Sequence, residues 1–247
     1  MYNLIILDEC DSTQEELKKR FKDGDLLAIL SKKQLKGKGS YSREWISDEG
    51  GLYLSFVYPI IRYEFPISTL FSVLVIITLK KYLNYPFSEY LGIIYPNDLI
   101  IKYENVYYKV GGVLVETFKN NYVVGVGINV NNNVSNYHFE HKAISLKEFS
   151  LLLKNDYKNF DVVDVARAIL NQVSCFHSGE IYPENEIRLF DFTNYLNNIK
   201  VIFFMDGQEI IDQFEKIKID YANKNVILYK GRMRKDFEFE KIRRILY

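Results

Sequence analysis

The spacing of apolar positions changes character several times along the chain, and each change marks an element. Residues 1–8 form a short apolar run that meets acid at Asp8 and read as a first strand. Ser12 or Thr13, followed by Glu15-Glu16 and then Lys18-Lys19-Arg20, predicts a hydroxyl-capped helix ending near Gly24, with early acids and late bases matching the helix dipole. Residues 26–31 and 52–58 are β-favouring runs separated by a polar loop over 32–49, with Gly50-Gly51 as the joint. Residues 67–83 are apolar around the whole helical circumference, which predicts a buried helix. Ile93-Ile94-Tyr95 enters a Pro96-Asn97-Asp98 turn, and residues 99–102 leave it as a strand. A hairpin at Glu104-Asn105 returns through 107–109 to 113–115, which pairs with 122–130. Residues 131–136 are a polar loop, and helices follow over 146–153 and 162–176. The sum is a predominantly antiparallel sheet with helices on one side. From about residue 199 the period shortens to strands over 200–204, 215–219, 225–229 and 237–242. Asp206-Gly207, Asn223-Lys224 and Lys230-Gly231 supply the turns, and a small β-barrel is the natural closure.

Composition narrows the function classes. With 247 residues, 48% of them hydrophobic, the chain can bury a sizeable core. Lys and Arg total 32 and Asp and Glu total 32, so no global field favours nucleic acid or a membrane surface, and any anion site must be local. Two cysteines, Cys10 and Cys175, make neither a disulfide framework nor a zinc pattern, which fits a reducing cytoplasm and no metal centre. The N-terminus lacks a basic leader, and the longest apolar run, 65–79, is broken by polar residues and falls short of the ~20 residues of a membrane span.

Two stretches carry chemistry. Gln34-Leu35-Lys36-Gly37-Lys38-Gly39-Ser40-Tyr41-Ser42-Arg43-Glu44-Trp45 alternates glycine with cations, so backbone N–H groups and positive charge can approach a carboxylate or phosphate. Lys109-Val110-Gly111-Gly112 places an amine immediately before close-approaching backbone, where it can meet reacting oxygens. Each residue also has a plainer reading. Ser12 and Thr13 serve as a helix cap, Lys109 as a strand-edge cation, Gly112 as a bulge, Trp45 as core, and Asp98 as an Asx turn. Gly125 and Gly127 are not a dinucleotide fingerprint, because no third glycine opens a helix.

Taken in order, Asp11-Ser12-Thr13-Gln14, the Gly-Lys-Gly loop, Gly50-Gly51-Leu52-Tyr53-Leu54-Ser55, Tyr95-Pro96-Asn97-Asp98, Lys109-Val110-Gly111-Gly112, Gly125-Val126-Gly127-Ile128-Asn129 and Ala143-Ile144-Ser145-Leu146 resemble the biotin protein ligase family over about the first 175 residues. The resemblance implies an α+β fold of the class II aminoacyl-tRNA synthetase/biotin synthetase-like type: a mixed sheet with helices over residues 1–195, then a small SH3-like β-barrel over 196–247. It implies an enzyme, a biotin–[biotin carboxyl carrier protein] ligase that uses ATP with Mg2+ to form biotinyl-5'-AMP and passes the biotinyl group to a lysine of a biotin carboxyl carrier protein domain. Ser12, Thr13, Gln14, Gln34, Lys38, Gly39, Ser40, Lys109 and Gly112 correspond to the family's biotin site, and Lys38, Arg43, Trp45, Asn97, Lys109 and Asn129 to its ATP site. Lys109, Arg43 and Asp98 correspond to the catalytic groups. The chain begins at the catalytic segment, so a short form without a DNA-binding domain is expected, with neither DNA nor membrane as partner; an exposed sheet edge is compatible with a homodimer. Family members read Gly-Arg-Gly-Arg-x-Gly-Arg in the loop, so Lys38 here keeps charge without the planar fork and Ser40 loses charge, which implies a weaker clamp. A lipoate-type acyl ligase and a non-catalytic biotin-binding protein are the alternatives.

Overall fold

In a computed structural model of the chain, all residues are described except 41–42, 64–65, 84–85, 135–141, 154–158, 184–190, 192–196, 206–207 and 247. Strand β2 (Leu27–Gln34) explains the layering, because Leu27, Ala28, Ile29, Leu30 and Ser31 are buried in succession. A strand buried on both faces needs cover on both. It pairs in parallel with β1 (Asn3–Cys10) and antiparallel with β3 (Leu52–Pro59). The sheet continues through β7 (Asn121–Ile128), β6 (Val106–Phe118), β5 (Asp98–Tyr103) and β4 (Leu91–Ile94), giving seven strands in the order β1-β2-β3-β7-β6-β5-β4.

The expectation of helices on one side does not hold. Helix α1 (Thr13–Arg20) packs Leu17 and Phe21 against Ile29, Val57 and Val123 on one face. Helices α2 (Ile67–Leu83) and α4 (Val162–His177) cover the opposite face, where Ala28, Leu30, Phe56 and Tyr58 point. Alternating side chains of one doubly apolar strand supply both interfaces. Phe71 of α2 meets Phe56 and Tyr58 edge-on, with ring centroids 5.5 and 5.1 Å apart. Phe71→Ala should therefore cost about 3–5 kcal/mol, read as a lower denaturation midpoint in guanidinium chloride. Helix α3 (Leu146–Leu152) opens on a reciprocal capping box between Ser145 and Glu148. The hairpin between β5 and β6 turns on Glu104 and Asn105 with φ of +48° and +62°, the geometry that matches the twist of the flanking strands. Among the described residues, no helix is long and apolar enough to cross a membrane.

The C-terminal strands β8 (Asn197–Met205), β9 (Gln208–Asp220), β10 (Asn225–Lys230), β11 (Met233–Glu238) and β12 (Ile242–Leu246) form a second, five-stranded antiparallel sheet in the order β11-β10-β9-β8-β12. The strand expected over 237–242 is instead the end of β11 and the start of β12, divided by a single 3₁₀ turn, Phe239–Lys241. Phe239 and Ile242 are both buried and three residues apart, so an unbroken strand would send them to opposite faces, whereas a 3₁₀ turn aligns them. The expected turns at Asn223-Lys224 and Lys230-Gly231 are present, whereas Asp206-Gly207 and the expected boundary at 195–196 lie outside the described residues. The small sheet leans on the turn that precedes β5: Tyr95 is buried, its hydroxyl donates to the Phe239 carbonyl at 3.1 Å, and the two rings lie 5.3 Å apart.

Candidate active site

An irregularity in the β5–β6 pairing sets the chemistry of the sheet's inner face. Asp98 pairs with Gly112 and Leu99 with Gly111, but Ile100 pairs with Lys109, leaving Val110 as an extra residue. In unbroken register Lys109 would oppose Ile101 and point to the other face; the one-residue slip turns it to the face of Asp98 and Gly112. The Lys109 backbone is fixed by its own bonds, donating to Lys142 O at 2.7 Å and accepting from Ile144 N at 3.1 Å. Its ammonium meets Asp98 Oδ1 at 2.5 Å and sits 5.7 Å from the centroid of the Trp45 ring. The two side chains are 18% and 12% exposed, so this pair is screened far less than a surface one.

The basic loop folds back on itself. Gly39 N–H donates to Arg43 O at 2.7 Å, Trp45 N–H to Gly37 O at 2.9 Å, and Arg43 Nε to Ser40 O at 3.0 Å. Asn97 ties the loop to the sheet, its Nδ2 donating to Ser40 Oγ at 3.2 Å and Val113 O at 2.8 Å. Behind the loop runs a polar line: Thr13 N and Oγ1 donate to Gln34 Oε1 at 2.8 and 3.0 Å, and Gln34 Nε2 donates to Ser47 Oγ at 2.9 Å. Ser47 in turn donates to Trp45 O at 2.8 Å. Such a satisfied network fixes the side chains that border it. The hydroxyl-capping expectation fails here: Ser12 is the N-cap of α1 by backbone but its side chain makes no cap bond, and the Thr13 hydroxyl is turned to Gln34 and Ser55.

Most of these groups, though not Gly37, Ser47 or Ser55, border one cavity of about 330 Å³. It brings together every site residue expected from the sequence: Ser12, Thr13, Gln14, Gln34, Lys38, Gly39, Ser40, Arg43, Trp45, Asn97, Asp98, Lys109, Gly112 and Asn129. The cavity also takes in Glu44, Tyr53, Leu54, Val113, Leu114, Gly125, Val126, Gly127 and Ala143, which lie in the motif stretches but carry no site role in the sequence reading, and Ile46, which no motif marks. Gly125 and Gly127 had a signal, their alternation on one strand face. A Cβ at Gly125 would lie 2.9 Å from the Gln14 amide, and one at Gly127 would lie 2.8 Å from Trp45 Nε1. These glycines therefore seat Gln14 and the indole flat on β7. Trp45 borders the cavity rather than filling the core, and its Nε1 is shielded from solvent with no hydrogen-bond partner among the described residues. Asn129, also buried, borders the cavity; its Oδ1 accepts from Asn132 Nδ2 at 3.2 Å and its backbone N–H donates to Val110 O at 2.8 Å. The chamber thus offers apolar side chains, oriented amides and hydroxyls, a lysine and a cationic loop around one space. Among the described residues no group of three or more His, Cys, Asp or Glu could cage a metal ion.

Comparison with known proteins places this architecture. The chain is similar to the biotin protein ligase from Aquifex aeolicus in complex with biotin and ATP, at 24% identity and TM-score 0.68, covering 98% of this chain and 97% of that one. A substituted variant of the Aquifex aeolicus enzyme in complex with biotin matches at 25% identity and TM-score 0.69 over the same shares. The biotin protein ligase from Leishmania major in complex with biotinyl-5-AMP matches at 18% identity and TM-score 0.60, covering 96% of this chain and 98% of that one. The family model described as "Biotin/lipoate A/B protein ligase family" matches residues 8–133, just over half of the sequence and the span holding both the basic loop and the Lys109 strand. The chain belongs to the biotin/lipoate A/B protein ligase family.

Proposed function

We propose that this chain is a biotin protein ligase that activates biotin with ATP and transfers it to a lysine of a biotin carboxyl carrier protein domain. A carboxylate does not acylate an amine at neutral pH until one oxygen becomes a good leaving group. In the proposed first step a biotin carboxylate oxygen attacks the α-phosphorus of ATP, forming biotinyl-AMP and releasing pyrophosphate. In the second, the carrier amine attacks the acyl carbon, AMP departs, and the amine loses a proton. Both steps bring anions together, so the site must supply preorganised positive charge and exclude water. The observation that carries the reading is Lys109: one amine, largely buried, bordering the same cavity as the amide-bearing Gln14 and Gln34 and the cationic loop.

In this reading Lys109 bridges the biotin carboxylate and the α-phosphate. Asp98 holds Lys109 in place and is positioned to take the proton of the incoming amine. Ser12, Thr13, Gln14 and Gln34 bind the ureido end, while Lys38, Gly39, Ser40 and Arg43 close over the acid and phosphates. Trp45 offers its face, and Asn97 and Asn129 their polar groups, to the nucleotide. Gly112 leaves room for the ligand beside the strand. Mg2+ arrives with the nucleotide; it binds chiefly through phosphate oxygens and a carboxylate or two, and Asp98 and Glu44 are the carboxylates bordering the cavity. Residues 1–195 act as the catalytic unit and 196–247 as the accompanying β-domain.

The test is incubation with ATP, Mg2+, a purified carrier domain and either biotin or lipoate, followed by intact mass of the carrier. Gain of one biotinyl group is expected. Lipoylation alone would establish the other acyl ligase of the family, and an unmodified carrier with biotin bound to the chain would establish a binding protein.

A further inference from the structure

The loop cation Lys38 is engaged by a residue outside the cavity wall. Its ammonium donates to Glu15 Oε1 at 2.9 Å, and the two side chains are 47% and 39% exposed. Glu15, in the first turn of α1, also receives Lys18 at 3.2 Å, and Lys18 reaches Glu116 Oε2 at 2.8 Å. Glu116 accepts from Gln14 Nε2 at 3.2 Å, so alternating charges link Gln14 in the cavity wall to Lys38 of the loop. The hydrogen bond from Lys38 is the largest influence holding the Glu15 carboxyl below its ordinary pKa. Resting on the ligase reading, we propose that Glu15 tunes nucleotide affinity by competing with the polyphosphate for Lys38. Lys38 leaves Glu15 when a phosphate of higher charge density enters, and Glu15 is not stranded, because Lys18 remains on it. Biotin brings a single negative charge and the polyphosphate several, so of the two ligands it is the polyphosphate that draws the Lys38 side chain from Glu15.

An exposed ion pair is weak, so the expected effect is modest and specific: Glu15→Gln lowers the Kd for MgATP by about two- to fivefold and leaves the Kd for biotin unchanged. The deciding measurement is calorimetric titration of MgATP, and separately of biotin, into wild type, Glu15→Gln, Lys38→Met and the double variant. The proposal requires that Glu15→Gln change nothing once Lys38 is methionine, because the competition then has no object. Glu16→Gln, which removes another first-turn acid of α1 without touching the loop, should match wild type. An unchanged MgATP Kd in Glu15→Gln, or the same shift on the Lys38→Met background or in Glu16→Gln, overturns the proposal while leaving the ligase reading intact. Failure of wild type to bind MgATP, alone or with the non-reactive alcohol analogue of biotin in place, overturns both.

Discussion

Lys109→Ala is expected to lower biotin-dependent pyrophosphate release from ATP by about 10²–10³-fold, the cost of removing one preorganised group from a developing anion. The proposed reaction presses a carboxylate against a phosphate, and Lys109 is a largely buried amine bordering the cavity that would hold both. The fold should survive. Lys109 holds its strand position through backbone bonds to Lys142 and Ile144, which the substitution leaves intact. The variant removes the Lys109 ammonium from Asp98, so some loss of thermal stability is expected. Lys109→Ala combined with Asp98→Asn should recover that stability without recovering turnover, which separates the chemical role from the structural one. Near-wild-type turnover in Lys109→Ala would remove Lys109 from the mechanism.

Two neighbouring glycines should fail in different ways. A Cβ at Gly111 would lie 2.5 Å from the carbonyl oxygen of Gly127 on the adjacent strand, so Gly111→Ala must push β6 and β7 apart. A destabilisation of several kcal/mol is expected, on the order of the largest single-residue effects, with a correspondingly lower melting temperature. A Cβ at Gly112 meets nothing nearer than Asn97 O at 3.5 Å, an ordinary contact, so Gly112→Ala should melt close to wild type. Its methyl group borders the cavity, and the proposed consequence is weaker biotin binding, by about tenfold or more. Thermal unfolding together with biotin titration on both variants decides this. Equal stability loss in the two, or undiminished biotin affinity in Gly112→Ala, would contradict the assignment of Gly112 to the ligand wall.

What the sequence made legible was local. Helix α2 spans the residues its apolar composition marked, and the Glu104-Asn105 hairpin follows from residues that tolerate left-handed backbone. The residues of the expected site converge on one cavity because ordered motifs carry long-range information that periodicity lacks. Geometry that depends on register was not legible. Lys109 and Gly112 are three positions apart and in a regular strand would face opposite ways; the extra residue Val110 brings them together, and the sequence offered a bulge only as a plainer reading of Gly112, without its effect on Lys109. The placement of α1 opposite α2 and α4 follows from β2 being apolar on both faces, a pattern visible in residues 27–30 but read only as a strand. Lys38 reads in sequence as a cation awaiting an anion. The fold brings Glu15 to it across 23 positions, and no sequence window contains that pairing.

The central claim concerns where one amine stands when the ligands are bound. A crystal structure with biotin and a non-hydrolysable ATP analogue, or with a stable biotinyl-AMP analogue, measures that directly. The account predicts Lys109 Nζ within hydrogen-bonding distance, about 2.7–3.2 Å, of both an oxygen at the acid carbon and an oxygen of the α-phosphoryl group. Lys109 still paired only with Asp98, with the ligand bound elsewhere or its acid tail turned away, would contradict it.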